Sequence, residues 1–87
     1  MIRIGNQIKA ARVLADIKLA RLSERSGLSE KMIVEFESFG AEPIEANDQL
    51  LYVLEITFLM MGVEFIQNDG VRRRVVLGPG GQDGTLM

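Results

Sequence analysis

The clearest signal of local structure in this chain is the segment Leu22-Ser23-Glu24-Arg25-Ser26-Gly27-Leu28-Ser29. Gly27 suits the left-handed backbone conformation that ends many helices. Ser29 suits the start of the next helix, because its hydroxyl can accept an otherwise unpaired backbone N–H. The stretch therefore predicts two short helices joined by a turn, the first over about 18–25 and the second over about 30–38.

Apolar residues at helical spacing predict which sides of these helices face the core. A preceding helix is predicted over about 5–15. The segment Phe39-Gly40-Ala41-Glu42-Pro43 ends the later helix of the pair, because Gly and Pro interrupt helical structure. The residues expected to point inward are Ile8, Ala11, Leu14 or Ala15, Leu19, Leu22, Ile33 and Phe36.

A fourth helix is predicted over about 48–61, with Asn47 as its cap, and it is apolar on nearly all sides. Its core-facing stripe consists of Leu51, Leu54, Phe58 and Met61. A helix that is apolar all round is buried all round, and a chain of 87 residues has little with which to bury it. We therefore expect an interface with a second copy or another partner at Leu50, Val53, Ile56, Leu59 and Met60.

The end of the chain reads as a hairpin followed by a tail. Two β-prone runs, 63–67 and 71–77, flank Asn68-Asp69-Gly70, and Asp-Gly between such runs is a hairpin signal. Residues 78–87 are rich in Gly and are expected to be flexible. The predicted fold is a mainly α single domain over 1–77, with four helices and a short C-terminal β-hairpin.

The composition argues for binding and against catalysis. The chain has neither Cys nor His, which removes the thiolate nucleophile, the usual general base and the commonest metal ligands. We expect no catalytic residue, no metal site and no cofactor. The longest apolar-rich run, 50–61, is shorter than the roughly 20 residues that a membrane span needs. No segment resembles a secretion signal, so we expect a cytoplasmic protein without a membrane partner.

The net charge of −2 hides a separation of charge along the chain. Residues 1–31 carry a net charge of +4, residues 32–69 carry −8, and residues 70–87 carry +2. Such a separation can reflect a charged partner of the basic part, such as nucleic acid. It can equally reflect basic and acidic elements that pair within the fold. Both interpretations remain open at this point.

Three segments resemble the Cro/CI-type (XRE) helix-turn-helix family: Gln7-Ile8-Lys9-Ala10-Ala11-Arg12, Leu22 to Ser29, and Ile33-x-x-Phe36-Glu37. The run Met61-Gly62-Val63-Glu64-Phe65-Ile66 is similar to the end of some small bacterial members, so the resemblance covers about 4–77. It implies a transcriptional regulator that binds duplex DNA as a homodimer, with the third helix in the major groove. It also implies a buried pair between Arg12 and Glu37.

The resemblance places the start of the second helix on phosphates and one side of the third helix in the groove. Basic side chains nearby, among them Arg3, Lys9, Arg25 and the run Arg72 to Arg74, add possible phosphate contacts. The residues predicted to bind DNA are Lys18, Arg21, Ser29, Glu30, Lys31, Val34 and Glu35.

Two features depart from the family pattern and keep a second function open. Leu19 stands where an amide usually contacts a phosphate, and a Leu side chain has no donor. Glu30 and Glu35 place two carboxylates where duplex DNA is most negative. The alternative is a helix-turn-helix-like protein that has lost DNA binding and acts as an antiactivator or modulator on another transcription factor.

Overall fold

The computed structural model describes residues 1–73, which form four helices and then a two-stranded antiparallel hairpin. The elements are α1 (Gly5–Ala15), α2 (Leu19–Ser26), α3 (Glu30–Glu37), α4 (Asp48–Met60), β1 (Val63–Ile66) and β2 (Gly70–Arg73). The mainly helical class and the order of elements are confirmed, and every helix end lies within one residue of its predicted position. Residues 74–77 of the second predicted strand and the predicted tail 78–87 lie outside the described residues.

The core is built from the apolar stripes that helical spacing predicts. Five of the expected inward residues are buried: Ile8, Ala11, Leu22, Ile33 and Phe36. The others (Leu14, Ala15 and Leu19) are half-buried and pack against that cluster. In α4, Leu51, Leu54 and Phe58 are buried and Met61 packs beside them. Phe58 meets Phe65 of β1 edge to face, with ring centroids 5.7 Å apart, which ties α4 to the hairpin.

Two of the first four residues are part of the core, which helical spacing did not predict. Ile2 and Ile4 are buried, and Ile4 forms an isolated antiparallel bridge with Pro43. The Ile44 N–H donates to the Arg3 carbonyl at 2.8 Å, so this segment lies alongside the loop that leads into α4. The start of the chain therefore packs between the helical core and the loop that precedes α4.

The beginning of α1 lies against the end of α3 at a glycine. A Cβ atom placed on Gly5 would lie 2.6 Å from the Phe36 carbonyl oxygen and 2.7 Å from that of Glu37. The Asn6 N–H donates to the Gly40 carbonyl at 2.8 Å, just beyond the end of α3. Only glycine allows this approach of two backbones, because any side chain would overlap backbone atoms that cannot rotate away.

The hairpin is confirmed, but its turn lies one residue earlier than predicted. The turn spans 67–69, and Gly70 pairs with Ile66 as the first residue of β2. Asn68 and Asp69 adopt the left-handed conformation, at φ +63° and +60°. Asn and Asp tolerate this conformation better than most residues because their short polar side chains can bond locally. The turn therefore uses the Asn-Asp pair, and Gly70 takes no left-handed position.

A bidentate ion pair from Arg3 holds the hairpin turn against the start of the chain. Its Nε and Nη2 donate to the two carboxylate oxygens of Asp69 at 2.7 and 2.6 Å. These hydrogen bonds lower the pKa of the Asp69 carboxyl and raise that of Arg3. The pair therefore stabilises the fold at neutral pH, and that contribution is lost as the pH falls through the lowered pKa of Asp69.

Candidate functional site

Short-range hydrogen bonds fix the connection between α2 and α3. Gly27 ends α2 at φ +78°, and its N–H donates to the Ser23 carbonyl. The Ser23 hydroxyl donates to the Leu28 carbonyl at 2.6 Å, and the Leu28 N–H donates to the Ser26 hydroxyl. The Ser29 hydroxyl accepts from the Met32 N–H at 3.1 Å, as an N-cap does. The predicted roles of Gly27 and Ser29 are both confirmed.

One side of α3 is entirely exposed. Ile33, Phe36 and Glu37 point inward and are buried, and α3 packs on both α1 and α2. Since successive helical residues are rotated by about 100°, the remaining outward positions share an arc of about 140°. We call this surface the α3 face, and it consists of Glu30, Lys31, Val34 and Glu35, all exposed. Sequence reasoning placed all four on one surface, and the structure brings them together.

An ion pair behind the α3 face holds α3 on α1. Arg12 Nε lies 2.7 Å from Glu37 Oε2, and Arg12 Nη2 lies 3.1 Å from Oε1. The Glu37 side chain is 8% exposed and that of Arg12 is 27% exposed. The hydrogen bond to Glu37 raises the pKa of Arg12 further, so the guanidinium stays charged. The pair that the family resemblance implies is therefore present, and it has a structural role.

The predicted phosphate-binding residues on α2 are exposed. Lys18 is the N-cap residue of α2, and within residues 1–73 no side chain caps that helix end. Lys18 lines a cleft together with Lys9 from α1. Arg21 and Arg25 lie one turn apart on α2, and Arg21 Nη1 is 3.6 Å from the neighbouring Glu24 carboxylate. An exposed pair at this distance leaves the arginine available to another anion.

Part of the charge separation in the sequence is used inside the fold. Arg3 and Arg12 pair with Asp69 and Glu37, and on the hairpin Arg72 lies 2.7 Å from Glu64. Arg3 is therefore engaged by the hairpin turn and is a poorer phosphate contact than the sequence suggested. In the part of the chain that the structure describes, no carboxylate lies within 4.0 Å of Lys9, Lys18, Arg25 or Lys31.

A second exposed surface runs along α4, opposite the core. We call it the α4 stripe; it consists of the exposed Tyr52, Val53 and Met60 and the half-buried Ile56, within an arc of about 100°. Tyr52 is 59% exposed and Met60 is 83% exposed. Sequence reasoning missed Tyr52, although it precedes Ile56 by four residues and Met60 by eight.

Two of the predicted interface residues lie at the edges of this stripe. Leu50 is half-buried and packs against the core, so only part of it is available to a partner. Leu59 is also half-buried and lines a small cleft between α4 and the hairpin, together with Val63 and Phe65.

Of the helices in residues 1–73, none has both the length and the apolar character that crossing a membrane requires.

No model of a known protein family matches the chain, and no curated protein is significantly similar to it in sequence. Among residues 1–73, no three acidic side chains come close enough together to hold a metal ion. The surfaces available to a partner are therefore the α3 face, the exposed basic residues of α1 and α2, and the α4 stripe.

Proposed function

We propose that the chain is a small DNA-binding regulator with a Cro/CI-type helix-turn-helix, and that the α3 face enters the major groove. The observation that carries the proposal is the contrast between the two sides of α3. Its inner side is held by the core and by the Arg12–Glu37 pair, whereas its outer side is exposed along the whole helix. A short helix rigidly held from behind is what insertion into a groove requires.

Phosphate contacts would come from α2 and the middle of α1. Lys18 stands at a helix N-terminus whose backbone N–H groups favour anions, Lys9 lines a cleft with it, and Arg21 and Arg25 follow on the same helix. Four exposed carboxylates lie on α2 and α3 or at the end of α1: Asp16, Glu24, Glu30 and Glu35. With Lys31 included, five cations face four carboxylates, so the balance is only slightly basic. We therefore expect weak non-specific binding and a strong dependence on base contacts.

Removing one phosphate contact should reduce the salt dependence of DNA binding. For Lys18→Gln, we expect weaker binding to every duplex and a slope of log K against log salt that is smaller in magnitude by about 0.9, the value for one phosphate contact. The measurement is fluorescence anisotropy on the DNA upstream of the coding sequence and on random duplex, titrated from low to physiological salt.

The matched control is Arg72→Gln, which removes one charge that already lies 2.7 Å from Glu64 on the hairpin. It should leave the slope unchanged. Equal slopes for Lys18→Gln and the wild type would contradict the placement of α2 on the backbone. Absence of binding by the wild type at low salt would contradict DNA binding altogether.

A second copy of the chain is the proposed occupant of the α4 stripe. Helix-turn-helix proteins that read palindromes bind as two-fold dimers, with half-sites about one helical turn of DNA apart. The α4 stripe is apolar, lies opposite the core, and has no partner within residues 1–73. Exposed apolar area of this kind marks an interaction surface more often than an isolated apolar residue does.

Placing a charge on the α4 stripe should prevent self-association without unfolding the chain. For Met60→Glu, we expect the dimer dissociation constant measured by sedimentation equilibrium to rise at least tenfold. Burying an unpaired carboxylate in an apolar interface costs more than the 1.4 kcal/mol that a factor of ten requires. Val13→Glu is the matched control, because Val13 is equally exposed on α1, away from the stripe. A monomeric wild type, or a Met60→Glu variant that associates normally, would contradict the dimer interface.

The second candidate function is modulation of another transcription factor through protein contacts. Glu30 and Glu35 on the α3 face favour it, because both carboxylates oppose contact with DNA. It would account for a wild-type protein that binds no duplex at low salt yet remains folded. The α3 face and the α4 stripe would then be the surfaces to test against candidate partners.

A further inference from the structure

We infer that the α3 face selects a particular half-site: Glu35 reads a cytosine, Lys31 reads a guanine of the same or the adjacent base pair, and Val34 contacts a neighbouring thymine methyl. This inference rests on the proposed function, since it specifies which DNA the α3 face would recognise. It follows from the position of each side chain on α3 and from the chemistry of base edges.

Helix stability does not explain Glu35. It lies in the last turn of α3, at the negative end of the helix dipole, where a carboxylate is unfavourable. Lys31 precedes it by four residues, which is the weaker order for a helical ion pair, and the two charges are not within 4.0 Å. Glu30 differs, because it lies in the first turn, where a carboxylate stabilises the helix. Glu35 is thus the carboxylate on this face that helix stability does not account for, and it would require a donor only on leaving water for a base edge.

Cytosine is the base that supplies this donor best. An ionised carboxylate only accepts hydrogen bonds, and in the major groove the donors are the amino groups of cytosine and adenine. Adenine presents the N7 acceptor beside its amino group, which repels a carboxylate. Cytosine has no acceptor next to N4 on the groove edge. Glu35 should therefore prefer cytosine to adenine.

Lys31 and Val34 complete the pattern. Lys31 only donates, so it matches the O6 and N7 acceptors of guanine. It lies four residues before Glu35, or about 6 Å along the helix axis, which is within reach of the same or the adjacent base pair. Their opposite charges then face the acceptors of guanine and the donor of cytosine. Val34 lies on the other side of Lys31 from Glu35, is 48% exposed and has no polar group, so it suits a thymine methyl.

Selection from a library of randomised duplexes tests the inference, because it needs no known operator. For the wild type, we expect an enriched half-site with one fixed cytosine and, at a neighbouring position, a thymine. For Glu35→Gln, the preferred base at that position should change from cytosine to adenine, since Gln pairs with adenine N6 and N7. The enrichment of adenine relative to cytosine should rise roughly tenfold compared with the wild type. Val34→Ala should weaken the preference for thymine and leave the preference for cytosine unchanged.

The control is Glu45→Gln, which removes the same charge from an exposed loop residue. It should change affinity for all duplexes together and leave the order of preferred bases as it is. An unchanged cytosine preference in Glu35→Gln would overturn the inference while leaving DNA binding intact. Salt-dependent binding by the wild type without any enriched sequence would also overturn it. Absence of all duplex binding would overturn both the inference and the proposed function.

Discussion

Replacing Glu37 by Ala is expected to lower the free energy of unfolding by about 3 kcal/mol, because the Arg12 guanidinium then remains half-buried without its carboxylate. In a domain of this size, that corresponds to a fall in melting temperature of at least about 10 °C. Urea unfolding followed by circular dichroism gives the value. The variant weakens the contact between α1 and α3 and removes no residue of the α3 face. DNA binding should therefore weaken only under conditions in which the variant begins to unfold.

A double-mutant cycle measures the interaction energy between Arg12 and Glu37, apart from what each side chain contributes alone. The single variants Arg12→Met and Glu37→Met should each lose stability. The double variant should be more stable than the sum of the two losses implies, because it leaves no unpaired charge. Additive losses would show that the two residues stabilise the fold independently and would contradict a coupled pair.

Replacing Gln7 by Met is expected to cost about 2–4 kcal/mol, although Met has nearly the same volume. The Gln7 side chain is fully buried and makes four hydrogen bonds to backbone groups. Its Oε1 accepts from the N–H groups of Arg3 and Ile4 at 2.5 and 3.0 Å. Its Nε2 donates to the carbonyls of Met1 and Gly70 at 3.3 Å each. A thioether has no N–H donor and is only a weak acceptor. The two N–H groups and the two carbonyls would therefore lose good hydrogen-bond partners at a site that water hardly reaches.

Asn6→Met is the matched control for this prediction. Asn6 is exposed, and its backbone N–H, not its side chain, bonds to Gly40. The same loss of an amide should therefore change stability by no more than about 0.5 kcal/mol. Amide hydrogen exchange adds a second measurement. The N–H of Ile4 should lose protection in Gln7→Met, and retained protection there would contradict the role assigned to Gln7.

Much of the fold and of the α3 face could be predicted because the signals are local. The ends of α2, α3 and α4 depend on residues within one turn, namely Gly27, Ser29 and Asn47. The four residues of the α3 face follow from helical periodicity once Ile33 and Phe36 are placed inward. The local signal was not sufficient to place the hairpin turn. Asp-Gly indicates that a turn exists, but cross-strand pairing of Ile66 with Gly70 decides which residues form it.

Local sequence patterns were enough to predict the number, type and approximate ends of the elements, and which side of each helix is apolar. Which charges remain available to a partner depends instead on how the elements pack. Arg3 and Lys18 are equally basic in the sequence, yet Arg3 bonds to Asp69, 66 residues away, whereas Lys18 stands exposed at the start of α2. Gln7 likewise reads as an ordinary helical residue until Gly70 is brought against it. Pairing between residues far apart along the chain depends on how whole elements pack, and no local pattern encodes that packing.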